Sequence, residues 1–188
     1  MDNPSEILET LDKHLDHEVR LVLYGRGGLH LGFENSPTAW ANTQDVDGII
    51  EATLWEELSE DKQFWESIEA TNEELSDKGL YITHLFGEEQ VFLRRDWTEH
   101  LVPVLRPPTK YLNLFRPATI DLVLTKMMRG DDPQDMEDAA FLIRHDRIST
   151  EQLEAAFACA NLTDIVELHG AFDRAKPLVL EMASSNTL

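Results

Sequence analysis

Short apolar runs and the polar residues around them predict a helix and two strands in the first part of the chain. Asn3-Pro4-Ser5-Glu6 predicts a helix start, with Asn3 as the cap. Val19–Tyr24 predicts a strand that stops at Gly25-Arg26-Gly27-Gly28, a glycine-rich turn leading into a helix at residues 29–33. Residues 45–50, with alternating acids before an apolar end, predict a second strand.

The middle of the chain predicts helices followed by strands. Residues 54–78 place apolar side chains at helical spacing among many acids, which predicts one long amphipathic helix or two short ones. Residues 80–86 and 90–94 predict a hairpin joined through Gly87-Glu88-Glu89, and residues 111–115 predict a further strand. Together these strands predict a mixed sheet.

The last third of the chain predicts only helices. Apolar residues at helical spacing run to Gly130, which is placed to end a helix, and Asp132-Pro133 begins the next one. Ser149 and Gln152 form a capping box for a third helix. A further helix is expected to begin at Thr163.

These elements predict a mixed α/β fold in which a small mixed sheet is flanked by helices. Residues 1–116 would form the α/β core, and residues 117–188 a helical C-terminal region that packs on it as one unit. At 188 residues the chain is long enough to bury a sizeable core. Only the polar tail, residues 184–188, is expected to stay unfolded.

The net charge limits the partners that the chain can bind. A formal charge of −20 repels polyanions, so we expect no broad DNA binding, and contact with RNA would have to be local. The acidic surface suits solubility, a metal ion or a basic partner. No apolar run approaches the roughly 18 to 20 residues that span a bilayer, and the first residues lack a signal peptide's basic start, so a cytoplasmic protein is expected.

Asp45 and Asp47 are the first candidates for chemistry. Residues i and i+2 of a strand face the same way, about 7 Å apart, so both carboxylates would project together while Val46 points into the core. Two such charges are stabilised by a cation, and Mg²⁺ takes one or two carboxylates and fills its other positions with water and phosphate oxygens. The alternative is ordinary surface charge at a strand end.

The glycine-rich turn suggests a phosphate site. Glycines at 25, 27 and 28 would let backbone amides approach a phosphate, the following helix would add the positive end of its dipole, and Arg26 could add a bidentate contact. The alternative is a plain tight turn.

These motifs resemble those of a known enzyme superfamily. The stretch from Leu23 to Leu29, followed by Thr43-Gln44-Asp45-Val46-Asp47, resembles the strand-turn-helix and D-x-D signature of nucleotidyltransferases. The later stretch from Pro117 to Lys126, with Gln134-Asp135-Met136-Glu137-Asp138, is similar to the lysine and acidic motifs of the small bacterial AbiEii-like group, which includes the toxins of some toxin–antitoxin pairs.

The resemblance implies a minimal nucleotidyltransferase fold and an enzyme that moves NMP from a nucleoside triphosphate to a hydroxyl of RNA or protein. Mg²⁺ or Mn²⁺ would be held by Asp45 and Asp47, which with Lys126 form the implied catalytic set. Asp135 and Asp138 would support Lys126. The implied nucleotide-binding residues are Gly25, Arg26, Gly27, Gly28, Thr43 and Lys126. A toxin of this kind would also have an antitoxin or other protein partner.

Three points stay open at the level of sequence. The superfamily often has a third metal-binding carboxylate on a neighbouring strand, and Asp96 is the best candidate, with a helix cap before Trp97 as the alternative. Lys126 could instead extend along its helix to solvent or pair with Asp135 or Asp138. Arg26 occupies the second place of a pair that is glycine-serine or glycine-glycine in the family. This departure favours the alternative function, a noncatalytic module of the same fold that binds a nucleotide or a protein.

Overall fold

The structure, a computed structural model, describes residues 2–185 apart from the side chain of His84. Contacts divide these residues into two compact units. The first comprises the chain up to Gly87 together with Leu101–Arg116, and the second comprises Glu88–His100 together with the chain from Pro117 onward. The second unit therefore combines residues 88–100 with the chain from Pro117 onward, whereas the predicted division placed residues 88–100 in the α/β core.

Helices and strands alternate along the first half of the chain, and helices dominate the second. The α-helices are α1 (Asn3–His14), α2 (Gly25–Gly32), α3 (Ala52–Glu60), α4 (Lys62–Leu75), α5 (Thr119–Lys126), α6 (Pro133–Asp146), α7 (Thr150–Cys159) and α8 (Val166–Ser185). The strands are β1 (Val19–Tyr24), β2 (Asp45–Ile50), β3 (Tyr81–Gly87), β4 (Leu93–Arg94), β5 (Val102–Pro103), β6 (Leu112–Arg116) and β7 (Ala160–Asn161). Short 3-10 turns occupy Thr38–Asn42, Ser76–Lys78, Glu88–Gln90, Trp97–His100 and Met127–Arg129.

The first unit contains a five-stranded mixed sheet in the order β3-β2-β1-β6-β5. Strand β1 runs antiparallel to β2 and parallel to β6, and β2 runs parallel to β3. Because parallel neighbours need a crossover, α3 and α4 connect β2 to β3. The mixed α/β fold with helices around a mixed sheet is confirmed.

The predicted hairpin is wrong. Strand β3 pairs with β2, while β4 pairs antiparallel with β7 in a separate two-stranded sheet of the second unit. The single segment of residues 54–78 forms two helices, which was one of the two predicted alternatives.

One face of the five-stranded sheet packs against α1 and α4. The buried residues of this core are Ile7, Leu8, Leu11, Leu15, Val19, Leu21, Leu23, Leu31, Val46, Phe64, Ile68, Leu75, Leu80, Ile82, Val104, Leu112 and Leu114. Since side chains alternate along a strand, Asp45 and Asp47 project from the face opposite to Val46.

A β-bulge interrupts the pairing of β2 with β3. Val46 pairs with Ile82 and Gly48 pairs with Leu85, so β3 contains one extra residue between the two pairs. The bulge keeps both Ile82 and Leu85 on the apolar face. It also sets Thr83 and the residue after it opposite Asp47.

The free edge of β3 is covered by a side chain of α4. Asn72 Nδ2 donates to the carbonyl of Ile82 at 3.1 Å, and Asn72 Oδ1 accepts from the amide of Ile82 at 2.7 Å. Both polar groups of this edge residue are therefore bonded within the chain.

Helix ends follow the predicted signals with small differences. The cap of α1 is Asp2, whose Oδ1 accepts from the amide of Ser5 at 2.9 Å, rather than Asn3. The capping box of Ser149 and Gln152 is present at the start of α7.

The last helix, α8, begins at Val166 rather than Thr163 and continues to Ser185. Residues 184 and 185 of the predicted tail are thus helical, and the rest of that tail lies outside the described residues. In the described part of the chain, no helix has the length and apolar character needed to cross a bilayer.

Candidate functional site

Asp45 and Asp47 lie together on one face of β2, and both side chains are partly buried. Each carboxylate accepts a hydrogen bond from a threonine hydroxyl. Thr43 Oγ1 donates to Asp45 Oδ1 at 2.8 Å, and Thr83 Oγ1 donates to Asp47 Oδ1. Both acids are therefore held in place rather than extended into solvent.

The start of α2 faces the Asp47 carboxylate. Gly25 has a φ of +68°, and a Cβ atom at this position would overlap Asp47 Oδ2. Only glycine combines this backbone conformation with so close a carboxylate. The N-cap residue, Tyr24, makes no side-chain capping bond. The positive end of the helix dipole thus lies beside the Asp47 carboxylate.

The predicted glycine-rich turn is instead the first turn of α2. Gly27 and Gly28 are buried, and a Cβ on Gly28 would lie 2.9 Å from the carbonyl carbon of Leu23. A Cβ on Gly27 would lie 3.1 Å from the carbonyl oxygen of Asp45. These two glycines let the helix pack closely on β1 and β2. Arg26 lies between Gly25 and Gly27 and is partly buried.

Two arginines bind the other end of α2. Arg106 donates to the carbonyls of His30 at 3.0 Å and Leu31 at 3.3 Å, and Arg116 Nε donates to the carbonyl of Gly32 at 3.2 Å. A helix of eight residues thereby has a carboxylate at its positive end and cations at its negative end, an arrangement that stabilises it.

Asp45 and Asp47 are the residues of this site that could hold a divalent cation. Two carboxylates suit Mg²⁺, which completes its coordination with water and phosphate oxygens. Within the described strands of the five-stranded sheet, Asp45 and Asp47 are the only acids. Among residues 2–185, with the His84 side chain left out, no three His, Cys, Asp or Glu side chains form a group that could hold a metal.

Asp96, the candidate third carboxylate, does not lie on a strand next to β2. It follows β4 in the second unit and forms an ion pair with His100 at 3.2 Å. The hydrogen bond from His100 lowers the pKa of Asp96. The neighbours of β2 are β1 and β3, and neither contains an acid.

Lys126 is buried within the second unit and is paired with both predicted acids. Its Nζ lies 2.9 Å from Asp138 Oδ2 and 3.4 Å from Asp135 Oδ1. Asp138 and Lys126 are 1% and 9% exposed at their side chains, so the pair is screened from water. The pairing brings the lysine and acidic motifs together, as one of the two alternatives for Lys126 predicted.

Arg129 extends this network toward solvent. Its Nε lies 2.5 Å from Asp135 Oδ2, and this hydrogen bond raises the pKa of Arg129. Asp132 caps α6 by accepting from the amide of Asp135 at 3.0 Å and also pairs with Arg129 at 3.3 Å. The network fixes the turn between α5 and α6.

A second buried ion pair was not predicted from the sequence. Asp121 has no exposed side-chain surface and accepts from Arg94 Nε at 3.0 Å, from an Arg94 terminal nitrogen at 2.8 Å and from the Arg94 amide at 2.9 Å. This bidentate pair attaches β4 to α5 and explains why residues 88–100 belong to the second unit. An acid inside the apolar stretch of α5 was the available signal, since buried acids need partners.

The second unit also contains an open cleft of about 630 Å³. Arg94, Asp96 and Thr119 lie on its wall, together with Cys159, which is exposed. The first unit contains no part of this cleft's lining.

No protein-family model, curated protein or solved structure matches this chain. The nucleotidyltransferase resemblance therefore depends on the sequence motifs, and the function drawn from it is a proposal.

Proposed function

We propose that this chain is a Mg²⁺-dependent nucleotidyltransferase that moves NMP from a nucleoside triphosphate to a hydroxyl of RNA or protein. The observation that supports it best is the position of Asp47, partly buried beside Asp45 and against Gly25 at the start of α2. A pair of fixed carboxylates next to a helix N-terminus provides both a cation site and a surface for anionic phosphates.

In this proposal the site residues of the first unit have distinct roles. Asp45 and Asp47 would hold the metal, which when bound offsets negative charge on the phosphate oxygens. The first-turn amides of α2, from Gly25 to Gly28, and the guanidinium of Arg26 would bind phosphate oxygens. Thr43 would keep Asp45 oriented through the bond that it donates.

The reaction breaks a phosphoanhydride bond of the nucleoside triphosphate and forms a phosphoester bond to the acceptor. The acceptor hydroxyl oxygen attacks the α-phosphorus, the bond from that phosphorus to the bridging oxygen breaks, and pyrophosphate leaves while the hydroxyl proton passes to solvent. Because a net charge of −20 repels RNA, an RNA acceptor would have to be bound locally at its reacting end. We place the reaction in the cytoplasm, where nucleoside triphosphates and Mg²⁺ are available.

Lys126 would neutralise phosphate charge, with Asp135 and Asp138 orienting its ammonium group. Both carboxylates lie within ion-pair distance of the ammonium of Lys126, whose side chain is 9% exposed. A purely structural ion pair is the alternative role for Lys126.

Transfer of label from α-³²P nucleoside triphosphates tests the proposal. The intact chain, Mg²⁺ and a mixture of RNA and protein acceptors should give labelled acceptor. Asp45→Asn and Asp47→Asn should each reduce transfer at least about 100-fold, as expected when a metal-binding charge is lost. Asp77→Asn, on an exposed turn of the same unit, is the matched control and should keep full transfer. No transfer by the intact chain would contradict the proposal.

The second candidate function is a noncatalytic module that binds a nucleotide or a protein. The lack of an acid on β1 and β3 favours it, as does Arg26 in place of a small residue. None of the residues of α3 is buried, and Trp55 on this helix is 45% exposed, which suits a protein contact. Calorimetry separates the enzyme from a protein-binding module, because the enzyme should bind nucleotide with Mg²⁺ and a protein-binding module should bind neither. A noncatalytic nucleotide-binding module would bind nucleotide but give no label transfer.

A toxin role is a more specific version of the proposed nucleotidyltransferase function. Expression of the intact chain in a bacterium should stop growth if it modifies an essential RNA or protein, and Asp45→Asn should abolish the arrest. An antitoxin partner would be recovered as a specific complex from the host in which both proteins are made. Growth unaffected by the intact chain would argue against this role.

A further inference from the structure

The β-bulge of β3 lies directly opposite Asp47. Between the pairs Val46–Ile82 and Gly48–Leu85, β3 has two residues facing one, and Thr83 is the first of them. Bulges of this kind redirect side chains and often occur next to functional sites. Here the redirected side chain is a hydroxyl.

The Thr83 hydroxyl has two acceptors within reach. Its Oγ1 contacts Asp47 Oδ1 and lies 3.2 Å from the carbonyl oxygen of Val46. A hydroxyl has one proton, and a carboxylate accepts it more strongly than a carbonyl does. The bond to Asp47 is therefore the stronger one, and the β-branched side chain of Thr83 holds it in one direction.

Asp47 is fixed on both of its oxygens. Thr83 binds Oδ1, and Oδ2 lies against the backbone of Gly25. Thr43 orients Asp45 in the same way at 2.8 Å. Such outer partners of metal ligands set the direction of the ligand before the metal binds.

The charge at this site matches a single divalent cation. Asp45 and Asp47 carry two negative charges, and within the described residues no other acid occurs on β1, β2 or β3. Two-metal sites hold their ions about 3.5 to 4 Å apart, and further carboxylates have to offset their repulsion. Thr83, one of the two bulge residues opposite Asp47, places a hydroxyl rather than a carboxylate beside it.

We propose that Thr83 is the positioning residue of the Asp47 carboxylate, and that this site takes one divalent cation per chain rather than two. The inference rests on the proposed function, because it assumes that Asp45 and Asp47 are metal ligands. Beyond the proposed function, it specifies how many ions bind at the site and which residue orients Asp47.

Binding of Mn²⁺ alone, followed by electron paramagnetic resonance of the free ion in about 0.15 M salt, tests the proposal. Sites that remain in the double variant Asp45→Asn/Asp47→Asn belong to the acidic surface and are subtracted. The intact chain should then bind one Mn²⁺. Thr83→Val should weaken binding roughly 10-fold, the usual effect of losing an outer partner of a metal ligand.

Two further variants make the test specific. Thr83→Ser keeps the hydroxyl and should bind Mn²⁺ within about twofold of the intact chain. A role confined to packing would instead leave Thr83→Val, which keeps the shape of threonine, close to the intact chain and would impair Thr83→Ser. Thr53→Val, an exposed threonine on α3, should have no effect. Thr83→Ala serves in place of Thr83→Val if the latter unfolds.

The outcomes separate this inference from the proposed function. Two Mn²⁺ ions lost in the double variant, unchanged binding in Thr83→Val, or no binding at this site would each overturn the inference, even if label transfer succeeded. One Mn²⁺ ion whose binding depends on Thr83, without any label transfer, would support the inference and contradict the proposed enzyme.

Discussion

Asp47 Oδ2 lies so close to the Cα of Gly25 that position 25 has no room for a side chain. Gly25 also has a φ of +68°, so two constraints coincide there. Gly79 shares the conformation, with a φ of +66°, but the nearest atom to a Cβ at that position is Gln44 Nε2 at 3.7 Å. Comparing substitutions at the two glycines therefore distinguishes the cost of backbone strain from the effect of contact with the Asp47 carboxylate.

We expect Gly79→Ala to cost about 1 kcal/mol of unfolding free energy from strain alone. Gly25→Ala should cost at least about 2 kcal/mol, because the methyl group also displaces Asp47. Urea unfolding measures both values. Mn²⁺ binding should fall only in Gly25→Ala, and equal metal binding by the two variants would show that Asp47 is not confined by Gly25.

Arg94→Met should destabilise the chain by about 3 to 5 kcal/mol, because the fully buried Asp121 loses its partner. Arg174→Met removes an exposed pair to Asp131 and, as the control, should change stability by less than about 1 kcal/mol. Urea unfolding gives both numbers. The double variant Arg94→Met/Asp121→Leu should recover much of the loss, and a double variant no better than Arg94→Met would contradict this explanation.

A comparison of single and double variants distinguishes the two possible roles of Lys126, nucleotide contact and structural ion pair. Lys126→Met removes the ammonium partner of the buried Asp138 carboxylate, so both stability and label transfer should fall, stability by about 3 kcal/mol. Adding Asp138→Leu removes the buried carboxylate and should recover stability. If Lys126 contacts the nucleotide, transfer stays low in the double variant. Recovery of transfer would instead assign Lys126 to the ion pair alone.

The His17 side chain should make stability depend on pH. Hydrogen bonds to Asp16 at 2.8 Å and to Asp61 at 2.7 Å raise the pKa of His17. Burial alone would raise the pKa of Asp61, but bonds from the Phe64 amide and from His17 outweigh it, and the pKa of Asp61 is lowered. The charged pair is therefore favoured in the folded chain.

This stabilisation should be complete below the ordinary histidine pKa of about 6.5 and disappear as pH rises through the raised value. It should also weaken at acid pH as Asp61 takes up a proton. His17 is 43% exposed, so the effect should stay below about 1 kcal/mol. Unfolding of the intact chain and His17→Gln at pH 6 and pH 8 measures it, and a larger difference at pH 8 would reverse the expected sign.

The sequence correctly predicted the elements whose formation depends on residues that are close together in the chain. Strands β1 and β2 have the predicted bounds because their apolar residues alternate with polar ones or form a continuous run. The capping box at Ser149 and the start of α6 at Pro133 follow from side chains near in sequence. The pair Asp45 and Asp47 lies on one strand face, as the period of two requires.

The wrong predictions concern contacts between distant segments. The hairpin failed because residues 93–94 are bound by Asp121 and by β7, and neither contact leaves a pattern near Gly87. Asp96, the candidate third carboxylate, follows the second strand of that predicted hairpin, and it lies in the second unit. Gly28 suggested a turn, but it is needed because α2 packs directly on Leu23, a contact that only the folded backbone shows.

The side-chain amide of Asn72 occupies part of the free edge of β3. Both backbone groups of Ile82 are already bonded to it, so an extended peptide approaching β3 would find no donor or acceptor at this position. To dock there, the peptide would first have to displace α4's side chain and make two equivalent bonds. A single neutral side chain thus blocks strand pairing at Ile82 without adding to the charge of the chain.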